Sequence, residues 1–113
     1  SNTPIVAIVF PLFGLPLDDR YPFYGIHQKV DQLLKELNVT HLDLSDIYKG
    51  IPLDRLQVIP GVDRHPNEIA HRMAAEKIYT WLETSKLIPP ELLISDKFST
   101  RLGITDQKRL QEP

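Results

Sequence analysis

The sequence predicts an α/β fold whose central strands run parallel. The β-branched apolar run at residues 5–10 does not alternate with polar residues, which is typical of a strand buried on both faces of a sheet. The ten prolines leave two long Pro-free windows, residues 23–51 and 67–88. The long helices are expected in these windows, because proline removes a helical hydrogen bond and clashes with the preceding turn.

The size and composition of the chain fit one globular domain. It has 113 residues, of which 42% are apolar and 25% charged, and a formal net charge of −2. This charge provides no basic field for nucleic acid or for an anionic membrane. No apolar run approaches the roughly 18 to 20 residues of a membrane span. With no cysteine, disulfides, Cys-ligated zinc and thiol catalysis are excluded.

The first Pro-free window contains an amphipathic helix followed at once by a second strand. Helical spacing predicts a helix at about 24–37 that ends near Asn38, and the next strand is expected at 39–44. Its apolar stripe consists of Ile26, Val30, Leu33, Leu34 and Leu37. Strand, helix and strand in this order predict a right-handed βαβ crossover with parallel strands.

The second half of the chain is expected to be mostly loop, followed by one clear helix. Residues 45–65 are predicted to be largely irregular, with 57–59 extended. The helix lies in the second Pro-free window, with Pro66 in its first turn, where a missing N–H costs nothing. Its apolar stripe is Ile69, Met73, Ala74, Ile78, Trp81 and Leu82. Residues 91–94 are expected to form a short helical turn, and 101–113 are polar.

Asp63 and His65 form a candidate catalytic pair. Pro66 biases His65 to an extended backbone, in which residues i and i+2 point to the same side. The Asp63 carboxylate can then accept the Nδ1–H of the imidazole and leave Nε2 as a general base. The alternative is a solvated Asp and His in a polar loop.

Other polar side chains are open to more than one interpretation. His71 is expected to be a structural histidine. The weaker alternative is that it joins Asp63, His65 and Glu68 in a metal site. His27 and His41 are expected on the surface, and Ser45 is expected to cap the turn that follows it. Arg64 is predicted to point away from the pair into solvent, with contact to an anionic substrate as the alternative. Apolar residues of the first loop, namely Phe13, Leu15, Leu17 and Phe23, are expected either in the core or along a pocket.

The stretch from Asp63 to Glu76 resembles the last motif of the SGNH (GDSL) esterase and lipase family. The matching residues are Asp63, His65-Pro66-Asn67, Ala70-His71 and Ala74-Ala75-Glu76. Upstream, a strand that ends in Pro, the pair Tyr21-Pro22 and a Leu42-Asp43-Leu44 strand are similar to the family as well. The resemblance covers roughly residues 4–88 and is most specific at 58–76.

The sequence departs from the family pattern in three ways. One residue separates Asp63 from His65 where the family more often has two, and Ala70 stands where Gly is usual. The Gly-Asp-Ser nucleophile motif and the segments that supply the oxyanion donors are absent. Without a nucleophile and an oxyanion hole, a base alone contributes little to acyl transfer.

The resemblance implies a serine carboxylic-ester hydrolase, an esterase or lipase similar to lysophospholipases, that needs no cofactor or metal. The implied fold is an α/β three-layer flavodoxin-like sandwich with a parallel sheet, of which residues 1–113 are the C-terminal part, with a core at 4–88 and an extension at 89–113. His65 would be the general base and then acid, Asp63 would orient it, and the Ser nucleophile would lie outside this chain. The expected partners are an ester substrate and a missing N-terminal half or second chain that covers the sheet edge. The alternative function is a non-catalytic truncated α/β module that associates with another chain.

Overall fold

The structure, a computed structural model, describes residues 3–92. The chain forms two compact units, Ser1–Trp81 and Leu82–Pro113, and the boundary falls within the last α-helix. The turn predicted at 91–94 is a 3-10 helix at Pro90–Leu92. Residues 93 and 94 and the polar stretch 101–113 lie outside the described residues.

A strand, a helix and a parallel strand form the first half of the chain, as the sequence predicts. Strand β1 (Val6–Val9) pairs in parallel with β2 (Thr40–Asp43), and helix α1 (Tyr24–Glu36) connects them. The helix ends as predicted, because Asn38 adopts φ +57 and its N–H bonds the Lys35 carbonyl. Asn tolerates this left-handed conformation better than most residues.

Strand β1 and helix α1 are less buried than the sequence predicts. All four residues of β1 are only half-buried, and α1 has no fully buried residue. Three members of its apolar stripe, Ile26, Leu33 and Leu37, are exposed. A sheet of two strands cannot cover both of its own faces. The prediction that β1 is buried on both faces is therefore wrong for the described part of the chain.

A short antiparallel hairpin replaces part of the predicted loop. Strand β3 (Gln57–Ile59) pairs with β4 (Asp63–Pro66), and Gly61 supplies the positive φ that the turn requires. Two steps along β3, from Gln57 to Ile59, correspond to three along β4, from Pro66 to Asp63. Strand β4 therefore contains a bulge, which bends a strand and re-aims its side chains.

Helix α2 (Glu68–Thr84) packs small residues against the core. Ala70 and Ala74 are buried, and the Tyr48 hydroxyl donates to the Ala70 carbonyl at 2.6 Å. Pro66 ends β4 and does not lie in the first helical turn, so that prediction is wrong. Ile69, a member of the predicted apolar stripe, is exposed.

The core lies between the first loop, the 3-10 helices and α2. The two 3-10 helices at the core are Ser45–Tyr48 and Leu53–Arg55. The buried apolar residues are Phe13, Leu17, Tyr21, Leu44, Tyr48, Leu56, Ala70 and Ala74. Among the residues from 3 to 92, no helix is both long and apolar enough to cross a bilayer.

Candidate active site

The carboxylate of Asp63 contacts the imidazole of His65, as the spacing predicts. Asp63 Oδ1 lies 2.6 Å from His65 Nδ1 and also accepts the His65 backbone N–H at 3.1 Å. Both residues lie in β4, so the extended backbone that Pro66 favours is present. We call this pair the dyad.

The dyad is open to solvent. The His65 side chain is 87% exposed and that of Asp63 is 40% exposed. The hydrogen bond from the His65 ring, followed by that from its backbone N–H, holds the pKa of Asp63 below its usual value. Asp63 is therefore ionised at neutral pH. Because Nδ1 faces Asp63, the opposite ring nitrogen, Nε2, is the atom available to a reactant.

An open cavity of about 900 Å³ lies beside the dyad. We call it the dyad cavity. One wall is the apolar segment that follows β1, and the other is β4 together with His71 near the start of α2. The lining residues are Phe10, Pro11, Leu12, Phe13, Gly14, Leu15, Val62, Asp63, Arg64, His65, Pro66 and His71. The first-loop residues expected in the core or along a pocket divide into two groups. Phe13 and Leu15 line the cavity and also pack in or against the core, whereas Leu17 is buried in the core and Phe23 packs against it.

A buried glutamine connects the two walls of the dyad cavity. Gln57 Nε2 donates to the Phe13 carbonyl at 2.6 Å, and Gln57 Oε1 accepts the Gly61 N–H at 3.0 Å. The sequence gives no signal for this role, because a single Gln at the start of a short apolar run has no distinctive spacing. The contact spans 44 positions along the chain, and only the folded structure brings it about.

Asn67 fixes the backbone immediately after the dyad. Its Oδ1 accepts the N–H groups of Ile69 and Ala70, both at 3.0 Å, which caps the first turn of α2. Its Nδ2 donates to the carbonyls of Arg55 and Gln57. The His-Pro-Asn sequence therefore has a structural meaning in this chain: Asn67 joins the end of the hairpin to the start of the helix.

His27 is not a surface residue, contrary to the prediction. Its side chain is 11% exposed, with Nδ1 2.7 Å from Asp43 Oδ2 and Nε2 2.9 Å from the Tyr21 hydroxyl. Tyr21 in turn accepts the Leu12 N–H at 3.1 Å. The network thus joins the end of β2 to the segment that forms the apolar wall of the dyad cavity.

Ser45 does not cap the following turn as predicted, and among residues 3–92 no imidazole bonds its hydroxyl. The buried Ser45 Oγ donates to Asp43 Oδ1, and the Ser45 N–H donates to the same oxygen at 2.8 Å. Burial raises the pKa of Asp43, but the hydrogen bonds from Ser45 and His27 outweigh it and the net pKa is lowered. In a Ser-His-Asp triad the imidazole lies in the middle, whereas here the carboxylate does. This arrangement does not activate Ser45 as a nucleophile.

His41 is also more buried than the sequence predicts. Its side chain is 11% exposed, with Nε2 2.6 Å from Asp31 Oδ1 and Nδ1 2.9 Å from the Val39 carbonyl. The hydrogen bond to Asp31, then that to Val39, raises the pKa of His41. The same contact, followed by one to Lys35, lowers the pKa of Asp31. This ion pair connects α1 to β2 and lies apart from the dyad cavity.

His71 and Arg64 both differ from their predicted roles. His71 is exposed, and within the described residues its ring has no hydrogen-bond partner, so it is not the satisfied structural histidine that was expected. Arg64 lines the same cavity as the dyad, although the sequence predicts that it points away from the dyad. The bulge in β4 relaxes the strict alternation of side chains along the strand.

Across residues 3–92, no group of three or more His, Asp or Glu side chains is arranged to hold a metal ion.

Comparison with known proteins identifies no family for this chain. No family model, no curated protein and no solved structure matches it.

Proposed function

We propose that this chain is the C-terminal part of a serine ester hydrolase of the SGNH (GDSL) type. The observation that carries the proposal is the 2.6 Å contact between Asp63 Oδ1 and His65 Nδ1, which leaves Nε2 accessible beside a mostly apolar cavity. The resemblance of residues 58–76 to the family's last motif supports the same assignment. The apolar wall suits the acyl or alcohol part of an ester.

In this proposal His65 transfers the protons and Asp63 orients it. Nε2 takes the proton of the serine hydroxyl as the serine oxygen bonds to the ester carbonyl carbon, and then gives it to the departing alcohol. In the second half, Nε2 takes a proton from water as the water oxygen attacks the carbonyl carbon of the acyl-enzyme. It then gives that proton to the departing serine oxygen, which releases the acid and the free serine. Asp63 remains ionised throughout and stabilises the imidazolium. No cofactor or metal takes part.

The nucleophile and the oxyanion donors come from a segment outside these 113 residues. Gly-Asp-Ser is absent from the sequence, and Ser45 contacts a carboxylate in place of a base. The proposed complete fold is a three-layer flavodoxin-like sandwich in which further parallel strands cover β1 and α1. The exposed side chains of Ile5, Leu33 and Leu37 support this completion.

The test restores the proposed nucleophile segment. The encoded sequence upstream of Ser1 is searched for Gly-Asp-Ser. A segment that contains this motif is fused to the chain or co-expressed with it, and the resulting protein is assayed for hydrolysis of p-nitrophenyl butyrate. We expect hydrolysis that falls at least about a hundredfold in His65→Ala, since general-base catalysis contributes about 10²–10⁴. His41→Gln is the matched control, because it removes an imidazole outside the dyad cavity and should keep activity. Equal rates of hydrolysis for the assembled wild type and His65→Ala would contradict the proposal.

A non-catalytic module is the second candidate, and the exposed apolar stripe of α1 favours it. Ile26, Leu33 and Leu37 recur at helical spacing and are exposed, which suits a face that another chain covers. Size-exclusion chromatography with light scattering tests it on this chain alone. A stable monomer over the accessible concentration range counts against the module.

A further inference from the structure

Arg64 is an unpaired cation in the dyad cavity. Within the described residues, no carboxylate lies within 4 Å of its guanidinium, and the Arg64 side chain makes no hydrogen bond there. The dyad therefore does not neutralise Arg64, and its five N–H donors are available.

The position of Arg64 is set by the bulge and by a glycine. Its Cδ lies 3.5 Å, and its Nη1 4.0 Å, from the point that a Cβ on Gly14 would occupy. The arginine side chain thus lies across the apolar wall where that wall has no side chain. A guanidinium and an apolar surface are in this way presented together beside His65.

We propose that the dyad cavity binds a single-chain amphiphile whose polar end is an oxyanion, a phosphate or carboxylate, held by Arg64. Guanidinium groups recognise both anions through paired N–H donors, and the Phe10 to Leu15 wall takes the alkyl chain. Since an exposed ion pair alone is worth little, both parts of the ligand are needed. Binding of the amphiphile does not depend on the proposed function. Only its hydrolysis rests on that function, and the substrate would then be an ester with an apolar chain and an oxyanion group.

The test measures binding to this chain and needs no nucleophile. The ¹⁵N-labelled protein is titrated with octyl phosphate and with octanoate, each below its micelle concentration, and backbone shifts are followed by NMR. We expect shifts centred on Gly14, Val62 and Arg64 and a dissociation constant that rises about tenfold in Arg64→Gln, the scale of losing a charge-assisted pair of hydrogen bonds. Arg64→Lys should give an intermediate loss, because it keeps the charge but not the planar donors. The stronger of the two ligands identifies the anion.

Three comparisons decide the outcome. Arg72→Gln removes the same charge from an exposed site outside the cavity and should leave binding unchanged. Octyl glucoside and inorganic phosphate should each bind at least about tenfold more weakly than octyl phosphate. Unchanged binding in Arg64→Gln, or equal binding of octyl glucoside, would overturn the inference. Hydrolysis that is equally fast in His65→Ala overturns the proposed enzyme and leaves this binding site standing.

Discussion

At the scale of single residues, the contact between Asp63 and His65 depends on the backbone between them. Side chains two positions apart lie on the same side only where the chain is extended, and the residue before a proline favours that conformation. These are local rules, so the contact could be predicted from four adjacent residues. His27 and His41 could not be placed in the same way. Each bonds a carboxylate from another element, and sequence spacing does not determine that contact.

Substituting Asp63 should change the tautomer of His65. In the wild type the carboxylate accepts the Nδ1–H, so the neutral ring carries its proton on Nδ1. Asp63→Asn removes the negative charge, and we expect the proton to move toward Nε2. Ring ¹⁵N shifts from long-range ¹H–¹⁵N spectra above pH 8 measure this. Asp54→Asn, an acid outside the dyad cavity, is the control, and identical His65 shifts in both variants would show that Asp63 does not set the tautomer.

At the scale of elements, the start of α2 depends on one side chain. Asn67 caps the helix through Oδ1 and bonds two carbonyls of the preceding segment through Nδ2. A helix in this window could be predicted because the window contains no proline. The residue at which the helix starts could not be predicted, since Pro66 suits the end of β4 as well as a first helical turn.

Removing the Asn67 side chain should destabilise the fold by about 2 kcal/mol, the upper range for loss of an N-cap, because its donors are lost as well. Urea unfolding of Asn67→Ala measures the change. Asn67→Asp separates the two contributions: it keeps the capping oxygen, loses the Nδ2 donors, and should cost less than Asn67→Ala. Equal losses in the two variants would mean that the cap contributes nothing.

The ion pair between α1 and β2 should make stability depend on pH. Contact with Asp31 raises the pKa of His41 above 6.5, so its contribution is full below pH 6.5 and is lost as pH rises through the folded pKa. The pKa of Asp31 is lowered from 3.8, so its contribution is present above pH 3.8 and is lost as pH falls. The pair therefore stabilises most between these values.

The free energy of unfolding should accordingly be higher at pH 5.5 than at pH 8.5, and His41→Gln should reduce that difference. Urea titrations at both pH values measure it. Lys35→Gln removes the other partner of Asp31 but leaves the imidazole in place, and it should retain the difference. A wild-type difference that survives unchanged in His41→Gln would assign the pH dependence to other groups.

At the scale of the whole molecule, the apolar surface exceeds what the described residues cover. The parallel order of β1 and β2 could be predicted, because an unalternating apolar strand followed by an amphipathic helix has few other solutions. The exposure of Leu33 could not, because periodicity identifies which side chains share a face but not whether anything covers that face.

Lysine on the exposed face of α1 should reduce self-association of the chain. Leu33 is 52% exposed, so Leu33→Lys costs little in the monomer and places a charge where a second surface would pack. Light scattering over a concentration series measures the effect. Gln32→Lys adds the same charge at the neighbouring exposed position and should change association much less. Equal effects of the two variants would show that net charge, and not the apolar face, governs association.

The bulge in β4 also bears on which changes of chain length the hairpin accepts. Between its two paired positions β4 has one residue more than β3, so the loss of a residue there restores a regular ladder. Deletion of Arg64 would join Asp63 directly to His65, and neighbours in a regular strand point to opposite faces. The hairpin would then persist in circular dichroism while the imidazole lost its carboxylate. We therefore expect the backbone of this segment to accept a shorter chain, whereas the contact between Asp63 and His65 requires the intervening residue.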